Sequence, residues 1–317
     1  MTDLSRPPSA KFQALIEACA TLPPLPMAVV HPCDALSLAG AMAAARLDLI
    51  HPILVGPQAR IRAAAAAIEQ DLGGIEIVDT PHSHASADRA VALVREGRVE
   101  ALMKGSLHTD ELMGAVVARD TGLRTERRIS HCFVMDVPHR PEALILTDAA
   151  INIAPTLEDK VDIVQNAIDL AHALGFAEPR VAILSAMETV NPKVPSTIEA
   201  AALCKMADRG QIQGGLIDGP LALDNAIDPE AAAVKKIVSP VAGRANILVV
   251  PDLEAGNMLA KSLSFLAGAD AAGIVLGARV PIVLTSRADS EISRLASCGV
   301  AVLVAQARRQ KAARAAV

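Results

Sequence analysis

The sequence predicts an α/β protein with two domains, and two observations lead to that prediction. Short apolar runs alternate along the chain with longer, alanine-rich segments of helical periodicity, a pattern typical of parallel sheets covered by helices on both faces. At 317 residues the chain is also too long for one ordinary domain. We place the seam between the domains near Pro138 and Pro141.

The first half of the chain alternates short apolar runs with segments rich in helix-forming residues. Gly97 suits the position after the third of these helices, because glycine readily takes the left-handed conformation found there. Strands are predicted over 27–30, 53–55, 75–78 and 99–103, and helices over 34–47, 58–70 and 86–96.

The second half repeats this alternation. Thr156 stands three positions before Asp159, and Ser196 three positions before Glu199, which is a signal for the start of a helix at each place. Strands are predicted over 132–135, 144–147, 181–184, 247–250, 274–276, 282–284 and 300–304.

Charge and aromatic content argue against a nucleic-acid partner. A net charge of −5 gives no general attraction to a polyanion. The chain has no Trp, no Tyr and only four Phe, so a platform of aromatic side chains that stack on bases is excluded. The basic run from Arg308 to Arg314 is predicted to end the last helix, where positive charge is favourable.

The cysteines and the apolar runs indicate the compartment. Five cysteines, odd in number and widely spaced, predict free thiols in a reducing environment. The amino terminus lacks an apolar signal segment, and the apolar runs elsewhere are interrupted before they reach membrane-spanning length. We therefore expect a cytoplasmic protein with no membrane partner.

The most informative stretch is an apolar run, 281–284, that ends in a polar turn containing Ser286, Arg287 and Asp289. In open α/β sheets the carboxyl ends of buried strands face the ligand crevice. Arg can bind a phosphate through two hydrogen bonds, Asp can accept a proton, and Ser can donate a hydrogen bond to an oxyanion. The competing interpretation is a helix start, with Ser286 or Asp289 as the cap of a helix over 290–297.

Two other polar loops are candidates for anion binding. Lys104 follows a predicted strand, Gly105 permits close approach of the backbone, and Thr109 suits the cap of the next helix, so backbone amides there are able to meet an anion. The 125–131 loop concentrates positive charge and hydroxyl groups around Arg128. Taken alone, the first loop is more typical of an ordinary strand–helix turn and the second of a solvated surface.

The order and the sequences of the polar loops resemble those of the phosphate acetyl- and butyryltransferase family. The resemblance extends over most of the chain, whereas any one of its motifs alone would not be specific. The motifs are SHCFVMD at 130–136, LTDAAINIAP at 146–155, SAMETVNPK at 185–193, DGPL at 218–221 with Asp224, PDLEAGN at 251–257 and TSRADS at 285–290.

The resemblance implies a homodimer of two-domain α/β chains similar to the isocitrate and isopropylmalate dehydrogenases, with parallel sheets and an active site in the interdomain cleft. On that fold we expect 1–140 with 280–317 to form the first domain and 141–279 the second. The implied reaction interconverts acyl-CoA and phosphate with acyl phosphate and CoA by direct transfer in a ternary complex. Coenzyme A is then a substrate, and neither a metal nor a bound cofactor is implied.

The family's catalytic roles carry over to Ser286 as oxyanion donor, Arg287 as phosphate ligand and Asp289 as the base. Acetyl-type members place their acid several residues further along, so Glu291 or Ser293 is an alternative to Asp289 for the acid's position. The ADS motif at 288–290 looks more like the butyryl-type branch. The residues implied to bind CoA or phosphate are Arg128, Lys104, Ser130, Asn152 and Glu188.

Two functions from other classes remain as alternatives. A dehydrogenase on a similar fold is disfavoured because the chain lacks a GxGxxG fingerprint and any metal-ligand spacing. The close histidine pair, His82 and His84, falls in a strand–helix loop and is expected at the surface. A non-catalytic CoA-binding protein is disfavoured by the intact Ser286, Arg287 and Asp289.

Overall fold

The computed structural model describes residues 9–285 and 289–315, which form two compact units, and the α/β class is confirmed. Unit 1 extends to Arg127 and resumes at Ala272, and unit 2 comprises Arg128–Ala271. In chain order the elements are α1 (Ala10–Cys19), β1 (Leu25–Val30), α2 (Ala35–Arg46), β2 (Ile50–Gly56), α3 (Gln58–Ala67), β3 (Glu76–Asp79), α4 (Ser83–Arg95), β4 (Ala101–Lys104), α5 (Thr109–Val117), β5 (Ser130–Asp136), β6 (Leu144–Thr147), α6 (Leu157–Ala173), β7 (Arg180–Leu184), α7 (Pro195–Asp208), β8 (Leu216–Leu221), α8 (Leu223–Ile227), α9 (Pro229–Val234), β9 (Ile247–Val249), α10 (Leu253–Phe265), β10 (Asp270–Leu276), β11 (Ile282–Val283) and α11 (Glu291–Ala315).

The strands of unit 1 lie in the order β3-β2-β1-β4-β11-β10. β1 pairs in parallel with β2 and with β4, which places Val30 beside Val55 and Lys104. β11 also runs parallel to β4, so the chain leaves both strands at the same edge of the sheet. This edge therefore carries Lys104 and, after β11, Thr285.

The strands of unit 2 lie in the order β5-β6-β9-β7-β8. Their inner face is apolar and includes Met135, Leu146, Leu184, Leu221 and Leu248. Burial of such side chains is the main favourable term in folding, at about 25 cal/mol for each Å² removed from water.

The expectation of purely parallel sheets is wrong, because each unit contains an antiparallel pair. β5 pairs with β6 in antiparallel fashion, and β10 does the same with β11. The connections 137–143 and 277–281 contain no helix and are too short for the crossover that parallel neighbours need. The sheets are therefore mixed.

The unit boundaries lie earlier in the chain than 140/141 and 279/280. Residues 128–140, expected in the first domain, lie in unit 2 because β5 pairs with β6. Residues 272–279, expected in the second domain, lie in unit 1, where β10 pairs with β11.

The predicted strand over 300–304 is wrong, because these residues lie in the middle of α11. Val300, Ala301 and Val304 are buried, and α11 packs against α1 and α2. A short apolar run has the same composition in a buried helix and in a buried strand, so the sequence does not distinguish the two. The basic run does end this helix, as predicted, and Arg309 pairs with Glu100 at 2.7 Å.

One predicted helix start is confirmed and one is wrong. Thr156 caps α6, its hydroxyl accepting a hydrogen bond from the amide of Asp159 while the Asp159 carboxylate accepts one from the amide of Thr156. α7 instead begins at Pro195, whose fixed φ angle suits the first turn of a helix, so Ser196 lies inside the helix. Within the described part of the chain, no helix is both long and apolar enough to cross a bilayer.

His131 on β5 is a buried histidine whose protonation opposes folding. Only 1% of the residue is exposed. Its ring packs edge-on against that of Phe133, with the ring centroids 4.4 Å apart, and Nδ1 has no hydrogen-bond partner. Burial lowers the pKa of the imidazole, and the carboxylate of Asp148 opposes this effect only in part. The folded state therefore holds His131 neutral.

Because the pKa of His131 is lower in the folded state than in the unfolded state, the unfolded state takes up a proton first as the pH falls. We expect the free energy of unfolding to decrease below about pH 6.5, with His131 contributing up to about 1.4 kcal/mol for each pH unit. Urea denaturation at several pH values measures this slope. His131→Gln should flatten the slope, and His84→Gln, at a side chain that is 71% exposed, should not. Equal slopes in the two variants would contradict the assignment.

Candidate functional site

The polar turn after β11 lies only partly within the described residues. Ser286 and Arg287 lie outside them, and the description resumes at Asp289. Thr285, on the near side of this turn, lines a small pocket together with Lys104 and Arg294. Lys104 and Arg294 both belong to unit 1, and residues at the start of α2 also line the pocket.

Lys104 stands at the carboxyl end of β4 and is half-buried. Its ammonium donates to the carbonyl of Gly105 at 3.3 Å and to that of Leu107 at 3.2 Å. Gly105 permits a close backbone approach, but the partner is β1 and not the expected anion: a Cβ there would lie 2.4 Å from the carbonyl oxygen of Val30.

The interpretation of this loop as an amide cradle for an anion is wrong at its first two positions. The amide of Gly105 donates to Val30 at 2.8 Å, and the amide of Ser106 donates to His31 at 2.9 Å. These amides join the loop to the end of β1, so the loop presents the Lys104 side chain rather than its backbone. Thr109 is the first residue of α5, and its cap is His108.

The helix after the polar turn begins at Glu291, and its cap is Ser290. The hydroxyl of Ser290 accepts a hydrogen bond from the amide of Ser293 at 3.2 Å. The alternative that Asp289 caps this helix is therefore wrong. Asp289 is half-buried, and its carbonyl accepts a hydrogen bond from Arg294 at 3.2 Å. Glu291 is exposed in the first turn.

Arg294 is a buried cation at this site that the sequence pattern does not reveal. Its side chain is buried beneath α2, where one nitrogen of the guanidinium donates to the carbonyl of Leu36 at 2.7 Å. In the sequence, Arg294 is one charged residue in a predicted helix, which is ordinarily a solvated position. Its burial depends on a helix that lies far away in the chain, so no local pattern signals it.

Arg128 in unit 2 is held at both its backbone and its side chain. Its amide donates to Asp162 at 2.7 Å, and its carbonyl accepts from Asn166 at 2.9 Å. The guanidinium donates through Nε to Asn152 at 2.8 Å and pairs with Asp159 at 3.1 Å, while the side chain stays 51% exposed. Arg128 is thus a cation oriented in advance at the surface of unit 2.

The structure brings three of the predicted residues of unit 2 together, in distinct roles. Asn152 is buried and donates to the carbonyl of Ile129 at 3.0 Å and to the carboxylate of Asp148 at 2.6 Å, while its oxygen faces Arg128. Ser130 is also buried, and its hydroxyl accepts from Asn166 at 2.8 Å. Arg128 is exposed; Asn152 bonds to its guanidinium directly, whereas Ser130 is linked to it through Asn166, which donates to both residues.

Glu188 lies in another polar cluster of unit 2, in the loop after β7. Its carboxylate accepts hydrogen bonds from Lys235 at 3.1 Å and from Asn225 at 3.2 Å. The hydrogen bond from Lys235 lowers the pKa of Glu188, so the group is an anion at neutral pH. An anion bound here would have to interact with Lys235 rather than with Glu188.

Metal-ligating side chains do not gather in the described residues. Across 9–285 and 289–315, no three His, Cys, Asp or Glu side chains are arranged to hold a metal ion. His82 caps α4 and His84 is exposed beside Glu111, which confirms that this pair lies at the surface.

Comparisons with known proteins give consistent matches over most of the chain. A family model described as phosphate acetyl/butaryl transferase matches residues 84–301. A phosphate acetyltransferase from Rhizobium meliloti is 68% identical over 300 residues, 95% of each chain. A phosphate butyryltransferase from Clostridium acetobutylicum is 43% identical over 253 residues, 80% of this chain and 84% of that one. The crystal structure of a branched-chain phosphotransacylase from Enterococcus faecalis V583 is similar with a TM-score of 0.77 and 31% identity, covering 89% of this chain and 99% of that chain.

The contribution of the Asn152 side-chain hydrogen bonds can be tested by measuring the free energy of unfolding. Asn152→Ala removes hydrogen bonds to a buried carboxylate and a buried carbonyl, which leaves those acceptors under-satisfied, so we expect a loss of about 1–3 kcal/mol in the free energy of unfolding. Urea denaturation measures the loss. Asn257→Ala is the matched control, because Asn257 makes a single long bond of 3.4 Å to Ala149 and should cost less than about 1 kcal/mol. Equal losses would show that the Asn152 bonds carry no special weight.

Proposed function

Because this chain belongs to the phosphate acetyl/butyryltransferase family, we propose that it is a phosphate acyltransferase that interconverts acyl-CoA and phosphate with acyl phosphate and CoA. The observation that carries the proposal is the 68% identity to a phosphate acetyltransferase over 95% of both chains. This relative makes acetyl the first candidate for the acyl group, and a butyryltransferase at 43% identity makes butyryl the second.

The transfer takes place directly between two bound substrates. In one direction the CoA thiol loses its proton to a base, the thiolate attacks the acyl phosphate carbonyl, a C–S bond forms, the C–O bond breaks and phosphate leaves. In the other direction a phosphate oxygen attacks the thioester carbonyl, the C–S bond breaks and the CoA thiolate takes up the proton. Positioning of two reactants supplies much of the acceleration in such a reaction.

The proposed catalytic roles fall on the polar turn after β11. Ser286 donates a hydrogen bond to the oxyanion of the tetrahedral intermediate, Arg287 holds the phosphate through its planar fork, and Asp289 exchanges the thiol proton. All three positions lie within the span matched by the family model. The half-buried Asp289 at the end of the turn is compatible with this role.

The proposed binding residues differ in what they offer a substrate. Lys104 and Arg128 present cations at the surfaces of their units and suit the phosphates of CoA or the inorganic phosphate. Ser130 and Asn152 are proposed to act through Arg128, since both are buried beside it. Glu188, as an anion, is proposed to contact a hydrogen-bond donor of the substrate.

We extend the proposal to the fold family, the assembly and the cellular compartment of the protein. We take the chain to share its fold with the isocitrate and isopropylmalate dehydrogenases, to form a homodimer and to use residues of both units in catalysis, as the family resemblance implies. All five cysteines are free thiols, which supports a reducing cytoplasm. Coenzyme A enters as a substrate, and the proposal includes no resident cofactor or metal.

Release of the CoA thiol from acetyl-CoA and butyryl-CoA, with and without phosphate, tests the function. We expect release that requires phosphate, that needs no nicotinamide and that persists in excess chelator. Release without phosphate would indicate a thioesterase. Loss of activity in chelator, restored by one divalent ion, would show a metal site, and no release in any condition would favour a non-catalytic CoA-binding protein.

The identity of the base is testable by a matched pair of variants. Asp289→Asn should lower turnover by about 10² to 10⁴, because an amide is unable to accept the thiol proton. Glu291→Gln should change turnover little, because Glu291 is exposed in the first turn of α11. Steady-state kinetics at saturating substrates measure both effects. The opposite ranking would move the base to Glu291.

A further inference from the structure

Arg294 is a charged side chain buried in unit 1 near the proposed catalytic turn. Only 4% of the residue is exposed. A guanidinium keeps its charge at any physiological pH, and burial of a charge is costly unless hydrogen bonds compensate it. The residues that supply those bonds therefore indicate the role of Arg294.

Two backbone carbonyls from distant segments accept hydrogen bonds from Arg294. One terminal nitrogen donates to Leu36 in the first turn of α2 at 2.7 Å. The other terminal nitrogen donates to Asp289 at 3.2 Å. The guanidinium thereby joins the end of the turn that contains Ser286 and Arg287 to a helix on the other side of the pocket.

A glycine on α2 makes room for this side chain. A Cβ at Gly40 would lie 3.0 Å from Cδ of Arg294, closer than such contacts ordinarily are. Leu36 and Gly40 are four residues apart and so lie on one face of the helix. The Arg294 side chain therefore lies along that face, held by the carbonyl at one end and passing over the glycine.

We propose that Arg294 is a positioning residue that holds the backbone of Asp289 against α2 and so aligns the proposed base. The inference rests on the proposed function, in which Asp289 is the base. A displacement of about 1 Å at a reacting group costs on the order of 10²-fold in rate, so a fixed backbone at this point has a direct kinetic consequence. Because Arg294 lines the same pocket as Lys104, direct binding of phosphate is the outcome that the test must separate from positioning.

Two variants of Arg294 separate these roles. Arg294→Met removes the hydrogen bonds to Leu36 and Asp289 while keeping an apolar stem, and we expect kcat to fall roughly 10- to 100-fold with both KM values nearly unchanged. Arg294→Lys should recover part of kcat, because an ammonium is still able to donate to the carbonyls although it lacks the planar fork. Steady-state kinetics with phosphate and acyl-CoA varied independently give the two constants.

A pair of glycine variants supplies a second test. Gly40→Ala places a methyl group against the Arg294 side chain and should lower kcat in the same direction by a smaller factor. Gly114→Ala is the matched control, since Gly114 lies in a helix of the same unit with open space around its Cα, and kcat should not change. Equal activity of the two variants would contradict the role of the contact with Gly40.

Further outcomes would overturn the proposal. A raised KM for phosphate with kcat kept in Arg294→Met would make Arg294 a phosphate ligand. A loss of activity that matches the loss of folded protein, measured by circular dichroism, would make its role purely structural. Hydrogen exchange of the 289–293 amides is independent of activity: it should be faster in Arg294→Met than in wild type, and unchanged exchange would refute positioning. If the wild type lacks phosphate-dependent turnover while exchange is still faster in Arg294→Met, the proposed function is refuted but the positioning of Asp289 by Arg294 is not.

Discussion

A buried charge must be satisfied by hydrogen bonds, and this constraint shapes the candidate site of unit 2 through Asp148. Its carboxylate is 3% exposed and accepts hydrogen bonds from the amides of His131, Ala150 and Ile151. Breaking such bonds around a buried charge costs several kcal/mol, so the 150–152 turn has little freedom. The turn presents the Asn152 side chain, whose oxygen orients the guanidinium of Arg128. The position of an exposed cation thus follows from a carboxylate in the core.

Unit 1 meets the same constraint with the opposite charge. Arg294 is buried, and its guanidinium donates hydrogen bonds to the backbone carbonyls of Leu36 and Asp289. Carbonyls accept hydrogen bonds from a guanidinium without burying a second ion. They also belong to the backbone, so the cation fixes main-chain segments rather than other side chains. In both units the buried ion acts on a loop that follows a strand.

The alternation of elements and the residues at strand ends were predictable from the sequence, because periodicity and composition are local properties. The helix cap at Thr156 was predictable for the same reason. The strand predicted over 300–304 was wrong because a buried helix and a buried strand both carry short apolar runs, so composition alone does not distinguish them. The roles of Arg294 and Asn152 were not predictable, since each depends on contacts made by distant segments. The family resemblance named both Arg128 and Asn152 as binding residues, but it did not indicate that Asn152 orients the guanidinium of Arg128.

The exposed and the buried polar residues of the two units differ in what they offer a ligand. Lys104 and Arg128 keep part of their surface available, as a residue that binds an anion from solution must. Asn152 and Arg294 are buried, and both donate hydrogen bonds to backbone carbonyls of the protein itself. In direct transfer between two bound substrates, the alignment of groups supplies much of the rate, and alignment depends on the parts of the site that do not move. We therefore expect the proposed reaction to depend on the buried polar residues as well as on the exposed cations.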